Sequence, residues 1–445
     1  MKSKKLGLFL VLSLILTSVI AYAQDAPKPE ESPIRISGQN FSSISMATGA
    51  VPKNTMALNL LPMVNYNIER VYLKFDHELG KVFSYHVIFD VGPDVFTSTN
   101  PVPATATNSY VPFVKNAFLR TKGGFDDLVF FTFDAGLLNT PVILNRNKMA
   151  DTRWFESIMH SGGQSKVIGM VYSDLKSGST SGSKGIDGSL GDYDKAADLG
   201  LSLEILVLRM FTLTIASTVG EGWTNISKDL QPNYAGKAWY GDLFVEPLKG
   251  LYIHAYMRFE NVNFLNAGDQ TSPTSQGKDA WFSGGGFGIN MLGIRVGADF
   301  ELGQVVVKNT TANGGDQAKN FFEFNAWLNW NLSEIGGFPM LVVGRFSYGM
   351  FNDAKQAYAG GMGVVYDTVY WNAGIGWQIN KNIRIVLLFE MYIYSDAEIY
   401  MAMGNGTTYN PYDTAAMAQA KATNTTNGGW NNSASGLKLA AEVKF

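Results

Sequence analysis

The feature that most constrains this chain is an alternation of apolar and polar residues, one by one, sustained over segments of about ten residues. From Leu251 to Glu260, the odd positions carry Leu251, Ile253, Ala255, Met257 and Phe259, and the even positions carry Tyr252, His254, Tyr256, Arg258 and Glu260. A side-chain period of two is what the pleat of a β-strand produces, so one face is oily and the other wet. The same split recurs at Ile383, Ile385, Leu387 and Phe389 against Arg384 and Glu390, and at Ile294, Val296, Ala298 and Phe300 against Arg295, Asp299 and Glu301. No segment beyond the N-terminus offers the roughly 18 uninterrupted apolar residues of a membrane-spanning helix.

Alternation also describes a soluble β-sandwich, and strand length separates the two. Sandwich strands usually stop near five or six residues, whereas a tilted strand needs about 9–11 to cross a bilayer. The pattern here runs to the C-terminus without a domain break. Only 16% of residues are charged, against roughly 25% in an ordinary soluble domain. The sequence therefore predicts an all-β fold, a transmembrane antiparallel β-barrel of sixteen strands, with sixteen to eighteen as the range. Sixteen windows between residues 68 and 445 fit, one of them at 165–174. Over the second half, short connections alternate with long ones, as in outer-membrane barrels with tight periplasmic turns and long external loops.

Lys2, Lys4 and Lys5 precede an apolar run from Leu6 to Ile20 and an Ala21-Tyr22-Ala23 site, the form of a cleaved secretory signal peptide over residues 1–23. Residues 24–54 are polar and Pro-bearing and read as a periplasmic lead-in, leaving 55–445 for the barrel, with a loop at about 139–164 folded inside it. The expected location is the outer membrane of a two-membrane bacterium. The chain ends on an alternating strand whose last residue is Phe445, which resembles the assembly signal read by the barrel-assembly machinery. With no cysteine and four scattered histidines, disulfide frameworks and thiolate chemistry are excluded, and no metal site or cofactor is implied. A mildly acidic exported chain is also not a nucleic-acid binder.

Three segments, RVYLKFDHELGKVFSYHVIFDVG (70–92), VKNAFLRTKGGFDDLVFFTFDAGLLNTPV (114–142) and SGGQSKVIGMVYSDL (161–175), resemble the phosphate-selective porin O/P family and related sixteen-stranded porins. Asp90, Ala117, Gly136, Thr140 and Pro141 fall where that family's early hairpin, its following strand and its G-x-x-x-TP stretch would put them. The resemblance implies a porin, homotrimeric, with a loop folded into the pore. The family's ladder of arginines is not found here residue by residue, so phosphate selectivity is not carried over.

If the wet faces enclose water, the pore lining is Arg70, Lys74, Asp90, Arg120, Asp134, Arg258, Glu260, Arg295, Asp299, Glu323, Arg345, Arg384 and Glu390. Cations and acids nearly balance. They either segregate into rows that tune selectivity or pair with one another along the wall. Residues 143–160 supply Arg146, Lys148, Asp151, Arg153 and Glu156 to a candidate constriction loop, whose three cations would favour anions. His254 and Glu260 do not make a hydrolase, because no motif supplies a nucleophile bonded to an oriented base, so no enzyme is expected. The expected function is a porin for passive diffusion of small hydrophilic solutes or ions, with outer-membrane lipid as its other partner. The alternative is a non-conducting barrel acting as a surface adhesin or structural protein.

Overall fold

The computed structural model describes residues 34–47, 64–93, 110–125, 128–152, 155, 197–219, 237–263, 277–308, 317–353, 364–394 and 433–445. The strands are β1 (Arg35–Ala47), β2 (Val64–Glu78), β3 (Phe83–Pro93), β4 (Tyr110–Phe125), β5 (Val129–Asn139), β6 (Ala197–Val207), β7 (Phe211–Thr218) and β8 (Lys237–Leu248). They continue as β9 (Leu251–Asn263), β10 (Gly277–Met291), β11 (Ile294–Lys308), β12 (Gln317–Asn331), β13 (Met340–Asp353), β14 (Val364–Asn380), β15 (Ile383–Tyr394) and β16 (Ser433–Lys444). Helix α1 (Pro141–Ala150) follows β5, and the short α2 (Ser333–Gly336) lies in the turn after β12. Each strand pairs antiparallel with its sequence neighbours, and β1 pairs with β16, so the sheet closes into a sixteen-stranded barrel.

One expectation is corrected. Residues 35–47, read as part of a lead-in, form the first strand, with Gln39 opposite Lys444 and Ile36 opposite Phe75. Its outward positions Ile36, Gly38, Asn40, Ser42 and Ile44 are too polar for the alternation to show. The window at 165–174 lies outside the described residues; β5 and β6 pair directly from Val129 to Asn139. The described strands number sixteen. Every short turn, from that between β2 and β3 to that between β14 and β15, then falls at one end of the barrel. The signal peptide expected over 1–23 lies outside the described residues.

Burial is inverted relative to a soluble domain. Phe259 is 57% exposed and Met257 52% exposed on the outside, whereas Glu323 on the inside is 0% exposed. Trp239 and Trp281 stand exposed near the long-connection ends of β8 and β10, and Trp377 near the short-turn end of β14, the two levels at which aromatic girdles meet the bilayer surfaces.

Three inward positions of β10 are glycine. A Cβ at Gly284 would lie 2.5 Å from the Tyr256 hydroxyl, and one at Gly286 would lie 2.6 Å from Asp299 Cβ. At Gly288 it would touch Met149 of α1 at 3.5 Å. Gly288 thus leaves room for the helix, while Gly284 and Gly286 admit the wall residues Tyr256 and Asp299, in keeping with the close approach expected of glycines in a strand.

If Met257 faces lipid at the middle of β9, Met257→Lys will cost about 2–4 kcal/mol in urea unfolding from lipid vesicles. An unchanged midpoint would show that this face meets water.

Candidate functional site

All thirteen residues expected to line a pore lie on the inner face, and most are committed to partners there. Arg70 reaches Asp90 at 3.1 Å, with Lys115 3.9 Å from the same carboxylate. Arg120 forks onto Asp134 through two 2.8 Å hydrogen bonds, and Arg258 donates to Glu260 at 2.5 Å. Arg345 donates to the Asn325 side-chain carbonyl at 2.8 Å, and Asn325 in turn donates to Asp299 at 2.9 Å. Glu390 accepts from the Tyr370 hydroxyl at 2.9 Å. Lys74 shares the inward row with Tyr72 and Asp76 and is half-buried, and Glu323 is fully buried. Paired charges, rather than rows of one sign, therefore dominate the wall. Buried ions persist only where a partner offsets desolvation.

Helix α1 enters the barrel directly from β5. Gly136, at φ 134°, makes a backbone bend that other residues rarely adopt. Pro141 then begins the helix, where its missing N–H costs nothing. The helix lies against the inner face of β8 to β12. Asn145 donates to Asp242 at 2.7 Å, and the other Asp242 oxygen is 2.8 Å from His254 Nε2. Arg146, 1% exposed, donates to Asp299 at 2.8 and 3.1 Å and to Glu301 at 3.3 Å. Burial opposes its charge, but Asp299, Tyr256 and Glu301 outweigh that and push its pKa well above the ordinary arginine value.

Asp151 ends the helix in a left-handed conformation and accepts two hydrogen bonds from Arg384, at 2.9 and 3.1 Å, with Arg295 at 4.0 Å. Arg384 also donates to Glu442. Burial works against the Asp151 carboxylate, yet Arg384, Arg295 and Lys444 hold its pKa below the usual value. Just beyond, Phe155 is fully buried in an apolar cluster with Phe41, Tyr72, Leu341, Val343, Val386, Leu388 and Ala440. These come from β1, β2, β13, β15 and β16, so the infolded segment touches both sides of the wall.

The opposite edge of α1 is open. Leu144 is 50% exposed, and Lys148, one turn on, has a side chain 52% exposed and 3.8 Å from Glu246. The Lys148 ammonium lies 4.4 Å from the Phe244 ring centroid. Of the five candidate constriction residues, Arg146, Lys148 and Asp151 are thus inside the barrel, while Arg153 and Glu156 lie outside the described residues. Arg146 is a correction in role: sequestered between two carboxylates, it anchors the helix and presents no charge to a passing solute. Sequence reasoning missed the interior apolar patch, because Val386 and Leu388 belong to a run, IVLLF, that is apolar on both faces.

No family model and no curated protein matches the sequence. Among solved structures, the chain is similar to an anion-selective porin from Comamonas acidovorans, with a TM-score of 0.52 at 10% identity over 93% of this chain and 100% of that one. It is also similar to outer-membrane expressed OmpT of Vibrio cholerae, with a TM-score of 0.51 at 9% identity over 95% and 100% of the two chains. The fold is that of an outer-membrane barrel. The apolar outer face suits such a barrel to a lipid surround.

A carboxylate whose pKa is lowered in the docked state stabilises that state above its free value of about 3.9, and this contribution is lost as pH falls through the lowered value. A nitroxide on Leu144→Cys, in a chain with no other cysteine, should stay immobilised at pH 5–7 and gain mobility only once the pH has fallen well below the free carboxylate value of about 3.9. In Asp151→Asn, where Asn145 and Arg146 still hold the helix, it should be more mobile than in the wild type at pH 7 and show no further change on acidification that Asp151 could cause. Electron paramagnetic resonance line shapes test this, and identical pH profiles in the two proteins would remove Asp151 as the tether.

Proposed function

We propose that the protein is an outer-membrane porin through which small hydrophilic solutes diffuse passively, with α1 forming part of the filter. The observation that carries this reading is the exposed edge of α1. A helix anchored to the inner wall still presents Leu144 and Lys148 to open space, so the described wall and helix do not fill the barrel. A charged interior beside such space will hold water.

The anion preference expected from Arg146, Lys148 and Arg153 now depends on the last two. Lys148 is offset in part by Glu246, so the preference is modest. The similarity to an anion-selective porin is compatible with that sign. A homotrimer is the proposed assembly, since OmpT of Vibrio cholerae has been solved in a trimer form. Phe445 is the proposed recognition residue for the assembly machinery; its backbone exchanges hydrogen bonds with Gly38 of β1 at 2.7 and 3.1 Å. The second reading, a non-conducting adhesin or structural barrel, is favoured by one observation: Phe155 carries the infolded segment across to the apolar patch on the far wall.

Planar-bilayer recording separates the two. The porin reading expects steady open steps, and a reversal potential that moves toward cations in Lys148→Glu. Absence of steps from chain that has regained its heat-modifiable mobility would favour the closed barrel.

A further inference from the structure

The short-turn mouth between β2 and β3 holds a second constellation that permeation does not use. A cavity of about 460 Å³ opens there, and Asp76, Ser84, His86 and Lys122 help to line it. His86 Nδ1 is 2.5 Å from Asp76 Oδ1, and His86 Nε2 is 2.9 Å from Ser84 Oγ. The strand register dictates this arrangement. Asp76 and His86 stand directly opposite each other on antiparallel strands, and Ser84 is the preceding inward position on the strand that carries His86. From the β4 side, Phe118 stacks on the imidazole at 5.0 Å with an interplanar angle of 23°.

The proton positions follow from the partners. An ionised carboxylate can only accept, so Nδ1 carries the hydrogen and donates to Asp76. In the neutral ring Nε2 then accepts, and the Ser84 hydroxyl donates to it. These are the relations a serine nucleophile needs: a base within hydrogen-bond reach, itself oriented by a third group. Lys122, in no ion pair among the described residues, supplies positive charge at the same cavity.

We infer that Ser84, His86 and Asp76 form a hydrolytic site for carboxylic esters small enough to enter this mouth. Ser84 Oγ adds to the ester carbonyl carbon as its proton passes to His86 Nε2, and the oxyanion develops in the cavity that Lys122 also lines. Collapse breaks the bond to the alcohol, which leaves with the proton from His86. Water then adds to the acyl-serine and gives a proton to His86; the Ser84 oxygen departs and takes that proton back. An acid and an alcohol result, with no oxidant, reductant or metal required. Ser84 and His86 are the catalytic residues, and Asp76 is a positioning residue.

The test uses the full chain folded in detergent micelles, a fluorophosphonate probe and p-nitrophenyl acetate. The probe is expected to label the peptide that carries Ser84. Ser84→Ala should lose the label and reduce ester turnover at least about a hundredfold, while keeping heat-modifiable mobility and single-channel conductance. In Asp76→Asn, the limb of the pH–rate profile that reports His86 should move. An unlabelled wild-type chain, or equal turnover by wild type and Ser84→Ala, overturns the site. An unmoved limb in Asp76→Asn overturns the orienting role. Conductance is read separately, so failure of this proposal leaves the channel reading standing, and the reverse also holds.

Discussion

A backbone amide in hydrocarbon has no water to bond, and each one left unpaired costs several kcal/mol. That constraint governs the rest of this structure. A sheet satisfies it only by having no edge, and the chain meets the requirement by bringing β1 against β16 from Gln39–Lys444 to Ala47–Gly436. Closure then fixes two environments on every strand. The outer one accepts Phe259 and Met257, and the inner one must accommodate everything polar.

The inner face resolves its own problem by pairing. Arginines at 70, 120, 258 and 384 each find a carboxylate on the same or a neighbouring strand, or on the infolded segment. The helix is held by the same rule with the signs reversed between its middle and its C-terminal cap. Arg146 docks on wall acids, and Asp151 docks on wall arginines. Electrostatics thereby fixes both the position and the direction of α1, which its own sequence does poorly: PVILNRNKMA has no acidic residue in its first turn and no strong amphipathic stripe. What the helix leaves exposed, chiefly Lys148, is the charge available to act on something that passes.

The architecture was legible because lipid imposes a strict period, and Leu251 to Glu260 or Ile294 to Leu302 could hardly be read otherwise. Legibility failed where the period carried no contrast. β1 carries Gly38, Asn40 and Ser42 among its outward positions, and the inward residues Val386 and Leu388 match the oily residues beside them. Partner choice was the other blind spot. Asp299 lies far from Arg146 in sequence, so a reading along the chain could place Arg146 on an infolded loop without showing that its charge was already taken. The Ser84, His86 and Asp76 group was hidden for a related reason. Its members are ordinary wall residues on two strands, and only the register of one hairpin aligns them.

The seam has a kinetic meaning as well. Its two strands are the first and the last of the described barrel in sequence order, so no intermediate that lacks β16 can be free of raw edges, however many hairpins it has formed. Such a species is a template for pairing with any other chain. Closure therefore waits on β16, and the rim where Phe445 meets Gly38 is the place at which the last backbone groups of the seam are paired.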